Sequence, residues 1–241
     1  MRYALISDIH ANLEALTVAL ADIRKRSIDQ IVCLGDVTNY GADPVPCLKR
    51  IREAASAILL GNHEVALLSD EMADLFNPYA REALLWTREQ LSTEDKHWLA
   101  TRPLTMMKDD WMAVHATPET PDAFEYLFDM ADALRNFRSM EAPICFYGHT
   151  HVPLLFAEYD SQAVRLPARN YALDRTRRYI INVGSVGQPR DGDPRLAYTV
   201  FDEETWEVEL VRLSYDVKAA QRKIENQGLP SMLAERLAYG Q

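Results

Sequence analysis

A chain of 241 residues with 48% hydrophobic side chains can bury a sizeable core, as one large domain or two small ones. Its formal net charge of −10 argues against an extended nucleic-acid partner, because binders of a phosphate backbone carry basic patches. Three cysteines without CxxC spacing make no disulfide frame, no apolar run is long enough to span a bilayer, and Met1-Arg2 leads straight into a short strand, so the expectation is a cytoplasmic protein with no membrane partner.

The first 60 residues read as βαβαβ. After the apolar strand Tyr3–Ile6, a helix over Asn12–Lys25 places Leu13, Leu16, Leu20 and Ile23 on one face, with Asn12 as a candidate cap. The strand Ile31–Leu34 follows. A second helix starts at Asp43-Pro44, an acidic cap before a first-turn proline, and buries Val45, Leu48 and Ile51. Ala57–Leu60 is the third strand. Residues 64–102 break this rhythm with two helices, Phe76–Gln90 and Ser92–Ala100, the second capped by Ser92. This helical insertion is placed to act as a lid or rim over a cleft. Leu104–Lys108 and Trp111–His115 flank Asp109-Asp110 as a tight hairpin, and a helix near Met130–Arg138 leads to the strand Ile144–Tyr147.

From Pro153 onward the pattern is mostly β: Leu154–Tyr159, Tyr179–Val183, Leu196–Phe201 and Trp206–Leu213. Ala168–Arg178, with four arginines, reads as an exposed loop. Helices at Val217–Asn226 and Ser231–Tyr239 fill the C-terminal stretch 216–241. No repeat or linker divides the chain, so the expectation is a single α/β domain over 1–241, two sheets flanked by helices.

Five short motifs follow or end the apolar runs and hold five of the six histidines. They are Asp8-Ile-His10, Gly35-Asp36, Gly61-Asn62-His63-Glu64, His115 and Gly148-His149-Thr-His151. Carboxylate, imidazole and amide carbonyl form the ligand mix expected for divalent metals. From Asp8 to Asp36 is 28 positions and from Asp36 to Asn62 is 26, near the length of one βα repeat. Parallel strands joined that way present their carboxyl ends on one edge, where open α/β sheets hold ligands. The sixth histidine, His97 beside Trp98, has no partner motif and reads as structural.

In order and spacing these motifs resemble the signature of the calcineurin-like metallophosphoesterase superfamily, and Asn182-Val-Gly-Ser-Val-Gly-Gln-Pro-Arg190-Asp191 resembles the strand and loop that follow in its small bacterial phosphodiesterase branch. The resemblance implies a four-layer αββα sandwich of two mixed sheets, with the helical insertion near the active site. It implies two divalent ions about 3.5–4 Å apart, bridged by Asp36. One would take Asp8, His10 and His151, the other Asn62, His115 and His149. Manganese is the first expectation, with iron, zinc, cobalt or nickel fitting the same donors. A hydroxide shared by the metals would attack phosphorus, while His63, not needed as a ligand, would hydrogen-bond the phosphate or protonate the leaving oxygen.

The second motif departs from that branch of the resembled superfamily formed by the protein serine/threonine phosphatases and the symmetrical diadenosine tetraphosphatases close to them, which have Gly-Asp-x-x-Asp/Ala-Arg-Gly there. This chain has Gly35-Asp36-Val-Thr-Asn39-Tyr40-Gly41, and a tyrosine makes no bidentate, charged contact to phosphate. Three readings follow. The first is a phosphodiesterase or phosphatase acting on a small, nucleotide-like substrate, the second a protein phosphatase, which Tyr40 disfavours. The third is a non-catalytic scaffold, disfavoured because His63 and all seven ligand positions are kept. Arg190, Tyr40 and Asn12 are candidate substrate contacts, although Asn39 and Tyr40 equally fit a turn and Asn12 a cap. The arginines at 169, 175, 177 and 178 read as solvated loop charges. The sequence leaves the oligomeric state open.

Overall fold

Short apolar strands whose alternate residues face two different cores build this molecule. The computed structural model describes residues 1–241. Its strands are β1 Arg2–Ile6, β2 Gln30–Cys33, β3 Ala57–Ile58, β4 Thr105–Met107, β5 Trp111–Val114, β6 Ile144–Tyr147, β7 Leu155–Tyr159, β8 Gln162–Leu166, β9 Tyr171–Ala172, β10 Tyr179–Asn182, β11 Leu196–Asp202 and β12 Glu207–Leu213. Its helices are α1 Leu13–Ile23, α2 Pro44–Ala54, α3 Asn62–Leu68, α4 Asp70–Asp74, α5 Pro78–Gln90, α6 Thr93–Ala100, α7 Met130–Ser139, α8 Val217–Asn226 and α9 Ser231–Glu235. A 3-10 turn over Arg236–Ala238 continues α9.

The strands form two mixed six-stranded sheets, ordered β3-β2-β1-β11-β12-β9 and β4-β5-β6-β10-β7-β8. Period-two alternation sorts their side chains. In β1, Tyr3 and Leu5 enter the core between the sheets, while Ala4 and Ile6 face the helices. In β6, Ile144 and Phe146 meet that same inter-sheet core, while Cys145 and Tyr147 pack under α7 with Phe137. Helix, sheet, sheet and helix therefore stack as four layers. The three cysteines are free and buried as core filler. No helix is long and apolar enough to cross a membrane.

Parallel pairing sets the site. β1, β2 and β3 run parallel in the first sheet, and β5, β6 and β10 in the second. Their carboxyl ends share one edge, where the five motifs and the loop to Arg190 emerge.

Several elements differ from their sequence reading. Pro44 starts α2, but the Asp43 side chain makes no cap bond and accepts from Lys223 Nζ at 2.7 Å instead. Val45 is exposed, and Cys47 joins Leu48 and Ile51 on the buried face. The helix expected from Phe76 begins at Pro78, because Asn77 caps it by accepting from Ala80 N at 3.0 Å. Four elements have no counterpart in the sequence pattern: α3, α4, β8 and β9. The edge strand β8 follows a two-residue turn, Asp160-Ser161, in which both residues are left-handed. β9 interrupts the arginine-rich loop and pairs with β12.

Candidate metal centre

Each motif begins where a strand stops, and the backbone turns sharply there. Thirteen non-glycine residues have positive φ; eight of them, Asp8, His10, Ala11, Asp36, Asn39, Tyr40, His149 and His151, lie in the motif loops, at φ from 47° to 69°. Such conformations persist only where surrounding contacts over-determine them. Here Asp8 N donates to Gly35 O at 3.1 Å and His10 N to Asp36 O at 2.9 Å, carrying the β1–β2 register past the strand ends. Gly187 N and Ser185 Oγ both donate to the Asp8 carbonyl at 2.9 Å.

The bends at His149 and His151 let two histidines of the same run diverge. The sequence suggests that Gly148 supplies this bend. The structure places the left-handed turns on the histidines themselves, and Gly148 is needed for space. A Cβ there would lie 2.0 Å from Ser7 Oγ and 2.8 Å from Asp8 Oδ2. Gly61 serves the same purpose, since a Cβ on it would meet Asp36 Oδ1 at 2.0 Å.

The donor atoms gather into two overlapping groups. Asp8, His10, Asp36 and His151 bring ligand atoms within 4.8 Å of one another, and so do Asp36, His115 and His149. Asp36 belongs to both. Its Oδ1 accepts from His63 N at 3.0 Å, whereas its buried Oδ2 has no hydrogen-bond partner and lies 3.2 Å from His115 Nε2. Asn62 Oδ1 is 3.2 Å from the same His115 nitrogen. His149 Nε2 is also buried without a partner.

The tautomers fit a cation. His10, His115 and His151 set Nδ1 against the carbonyls of Thr38, Leu34 and Gln188 at 3.2, 2.9 and 2.6 Å. Donation there leaves Nε2 of each neutral ring a bare lone pair. Burial would lower His115, but the Asp36 carboxylate beside it raises that ring to about 9, so it would give up a second proton to take an ion. His10 Nε2 and His151 Nε2 face each other at 3.1 Å, an arrangement that two lone pairs favour only with a positive charge between them. Burial keeps His10 and His151 well below the ordinary imidazole value and pushes His149 down to about 3, so the rings stay neutral donors. Burial would raise Asp36, but His115 and His63 outweigh it and hold the carboxyl well below its usual range. Orphaned buried donors of oxygen and nitrogen type, sharing one carboxylate, suit a pair of divalent ions.

A residue without a role in the sequence reading braces this floor. The buried carboxylate of Glu64 accepts from the backbone N–H of Asp36 at 2.7 Å, Val37 at 2.9 Å, Thr38 at 3.0 Å and Gly61 at 3.2 Å. It also accepts from Thr38 Oγ1 at 3.0 Å. The only sequence signal was its position at the third residue of α3, from which a glutamate reaches back to the helix start.

Above the floor opens a cleft of about 340 Å³, lined by Asp36, Asn62, His63, His149, His151 and Arg190 among others. The helical insertion supplies one wall through Met72, Leu75, Phe76 and Ala80, and the loop after β5 supplies the other through Phe124 and Tyr126. Tyr126 stacks on His149 at 4.3 Å and on Phe128 at 5.4 Å, in a loop that no sequence motif marks. His63 Nε2 sits 3.8 Å from Asp36 Oδ2, and burial pushes its ring down to about 4.

The three candidate substrate contacts part company. Arg190 faces the cleft, steadied by Gln188 Oε1 at 2.7 Å, while the nearby acids are engaged elsewhere, Asp191 with Arg212 and Asp193 with Arg195. Tyr40 is a buried wall, its ring 4.6 Å from both His10 and His63. Asn12 does not reach the cleft: Oδ1 accepts from Ala15 N at 3.1 Å and Nδ2 donates to Gly187 O at 2.8 Å, which consumes its amide in capping and bracing. His97 is exposed on α6, away from the site.

Comparison with known proteins agrees with this geometry. The sequence profile of the calcineurin-like phosphoesterase superfamily domain matches residues 1–205. An uncharacterised protein of Methanocaldococcus jannaschii is 40% identical over 242 residues, covering 98% of this chain and 97% of that protein. The crystal structure of a metallophosphoesterase from Sphaerobacter thermophilus superposes with a TM-score of 0.88 at 39% identity, covering 100% of this chain and 99% of that one. A hypothetical protein of Pyrococcus horikoshii shares the fold at a TM-score of 0.80 and 18% identity, covering 100% and 98%. With its two mixed sheets, its buried Asp/His cluster and these relatives, the chain belongs to the calcineurin-like phosphoesterase superfamily and is a phosphoester hydrolase.

Proposed function

We propose that this enzyme hydrolyses a small, nucleotide-like phosphoester, a diester, anhydride or monoester, with two divalent ions, manganese foremost. The observation that carries the reading is the pair of donor groups sharing Asp36, whose outward oxygen has no partner within the protein. Asp8, His10 and His151 would hold one ion, Asn62, His115 and His149 the other, and Asp36 both. When bound, such ions polarise phosphoryl oxygens and acidify water toward neutral pH.

The chain's own residues do the rest. Carbonyls of Leu34, Thr38 and Gln188 orient the ligand rings, so little reorganisation accompanies the reaction. His63 presents Nε2 beside Asp36, within reach of an oxygen of a phosphate seated at the cluster. Arg190 offers the only guanidinium lining the cleft, a fork matched to phosphate. Met72, Leu75, Phe76, Phe124 and Tyr126 form apolar walls that suit the flat face of a base. Position 40 carries an aromatic wall and no cation, which favours small esters over phosphoserine peptides. Three free, buried cysteines support a reducing compartment such as the cytoplasm.

The test is hydrolysis of bis-p-nitrophenyl phosphate, p-nitrophenyl phosphate, dinucleoside polyphosphates, cyclic nucleotides and phosphopeptides with Mn²⁺. Faster turnover of nucleotide esters than of phosphopeptides is expected. Preference for phosphopeptides would overturn the substrate reading.

A further inference from the structure

Asn39 follows β2 in the same loop as Asp36, fully buried and left-handed at φ 69°. Its amide has three neighbours. Oδ1 accepts from Tyr40 N at 2.7 Å, Nδ2 donates to Ala80 O at 3.4 Å, and Nδ2 lies 2.6 Å from His63 Nδ1. Turning the amide over would aim its NH₂ at the Tyr40 N–H and its oxygen at the Ala80 carbonyl, two like-facing pairs inside the protein. The hydrogen-bond network therefore fixes which atom is nitrogen.

An amide nitrogen has only hydrogens to give. His63 Nδ1 must then accept, and the proton of the neutral ring sits on Nε2. The ring has no freedom to exchange its nitrogens: His10, Tyr40 and Phe76 pack around it at centroid distances of 4.7, 4.6 and 4.7 Å. Nε2 faces the cleft side, with Asp36 Oδ2 at 3.8 Å as the nearest acid.

We propose that Asn39 is a positioning residue that locks His63 as the Nε2–H tautomer, so that the ring meets a bound phosphate as a hydrogen-bond donor. The tautomer is a property of the protein alone; its use on phosphate rests on the function proposed above. A ring fixed the other way would turn a lone pair toward phosphoryl oxygens and repel them.

The experiment is a long-range ¹H–¹⁵N correlation spectrum of chelator-treated, ¹⁵N-histidine-labelled protein, with the His63 signals identified by their loss in His63→Gln. Protonated Nε2 and bare Nδ1 are expected. Asn39→Asp, equal in size but an acceptor, should move the proton of the neutral ring from Nε2 to Nδ1 and, above the pH at which that ring takes a second proton, lower kcat at least about tenfold on the best ester, with a smaller change in KM. A wild-type spectrum with protonated Nδ1 overturns the proposal, as does an Asn39→Asp spectrum with bare Nδ1. A moved proton with unchanged kcat overturns the functional half. Should Asn39→Asp fail to fold, the wild-type spectrum alone decides the tautomer. The expected spectrum in a protein that turns over no nucleotide ester would remove the substrate reading and leave the tautomer standing.

Discussion

On the floor of the cleft, Glu64 holds the Asp36 loop by four hydrogen bonds and Gly61 by a fifth, and three ligand rings are pinned to backbone carbonyls. On the rim, Leu75 is 77% exposed and Tyr126, stacked on Phe128 and His149, is 52% exposed. The floor sits on the ends of buried strands, and the rim on a helical insertion and a loop. Rotation of a floor ligand would misplace charge, whereas a shift of a rim residue only reshapes a wall. Chemistry shared across a superfamily belongs on the first, and choice of substrate on the second.

Substitutions can break this contrast, in descending order of effect. Asp36→Asn removes the shared carboxylate, so both ions should bind weakly by elemental analysis and activity should fall at least about 10³-fold. Two tightly held metals in that variant would contradict the shared role. His63→Ala should keep its metal and lose about 10²-fold in kcat. Loss of one ion would instead make His63 a ligand.

Glu64→Gln tests whether the floor needs its brace. The amide sets NH₂ against backbone N–H groups, which should cost about 1–3 kcal/mol in denaturant unfolding and about 10- to 100-fold in metal affinity or activity. An unchanged unfolding midpoint would show that the brace is dispensable. Arg190→Ala, at the boundary of floor and rim, should change kcat/KM about tenfold on every ester, about 1.4 kcal/mol. Tyr126→Ala should have the smallest effect, a loss of about 1 kcal/mol that appears with nucleotide esters and not with methyl phosphate esters. Equal losses on both would make the rim part of the catalytic floor.

The sequence made the floor legible and the rim nearly invisible, for a physical reason. Metal donors come from few residue types and must leave strand ends, so Asp8, His10, Asp36, Asn62, His115, His149 and His151 stood out by chemistry and spacing together. Glu64 and Asn39 gave weaker signals. Glu64 meets Asp36 from 28 residues away and Asn39 meets His63 from 24, and the turn that joins them is closed only by the folded loop. The helix α3 has seven residues, too few for a helical period to show. Tyr126 stands in a stretch without periodicity, brought to His149 by the way β5 crosses to β6. Asn12 carried two readings, cap and substrate contact, and only the partners of both its amide atoms separate them.

The first strand of the chain is among the last to be enclosed. One side of β1 pairs with β2, but the other pairs with β11, Arg2 opposite Asp202 and Leu5 opposite Thr199. The carbonyl of Asp8 likewise waits for Ser185 and Gly187. During synthesis the amino-terminal ligands thus emerge long before the segments that fix them, beside a strand whose edge is still open to other chains. Bracing of the Asp8 carbonyl and sealing of that edge both wait for residues 185–202. A chain halted before residue 185 should be at once poor in metal and prone to stick, while a finished one becomes loaded and soluble together.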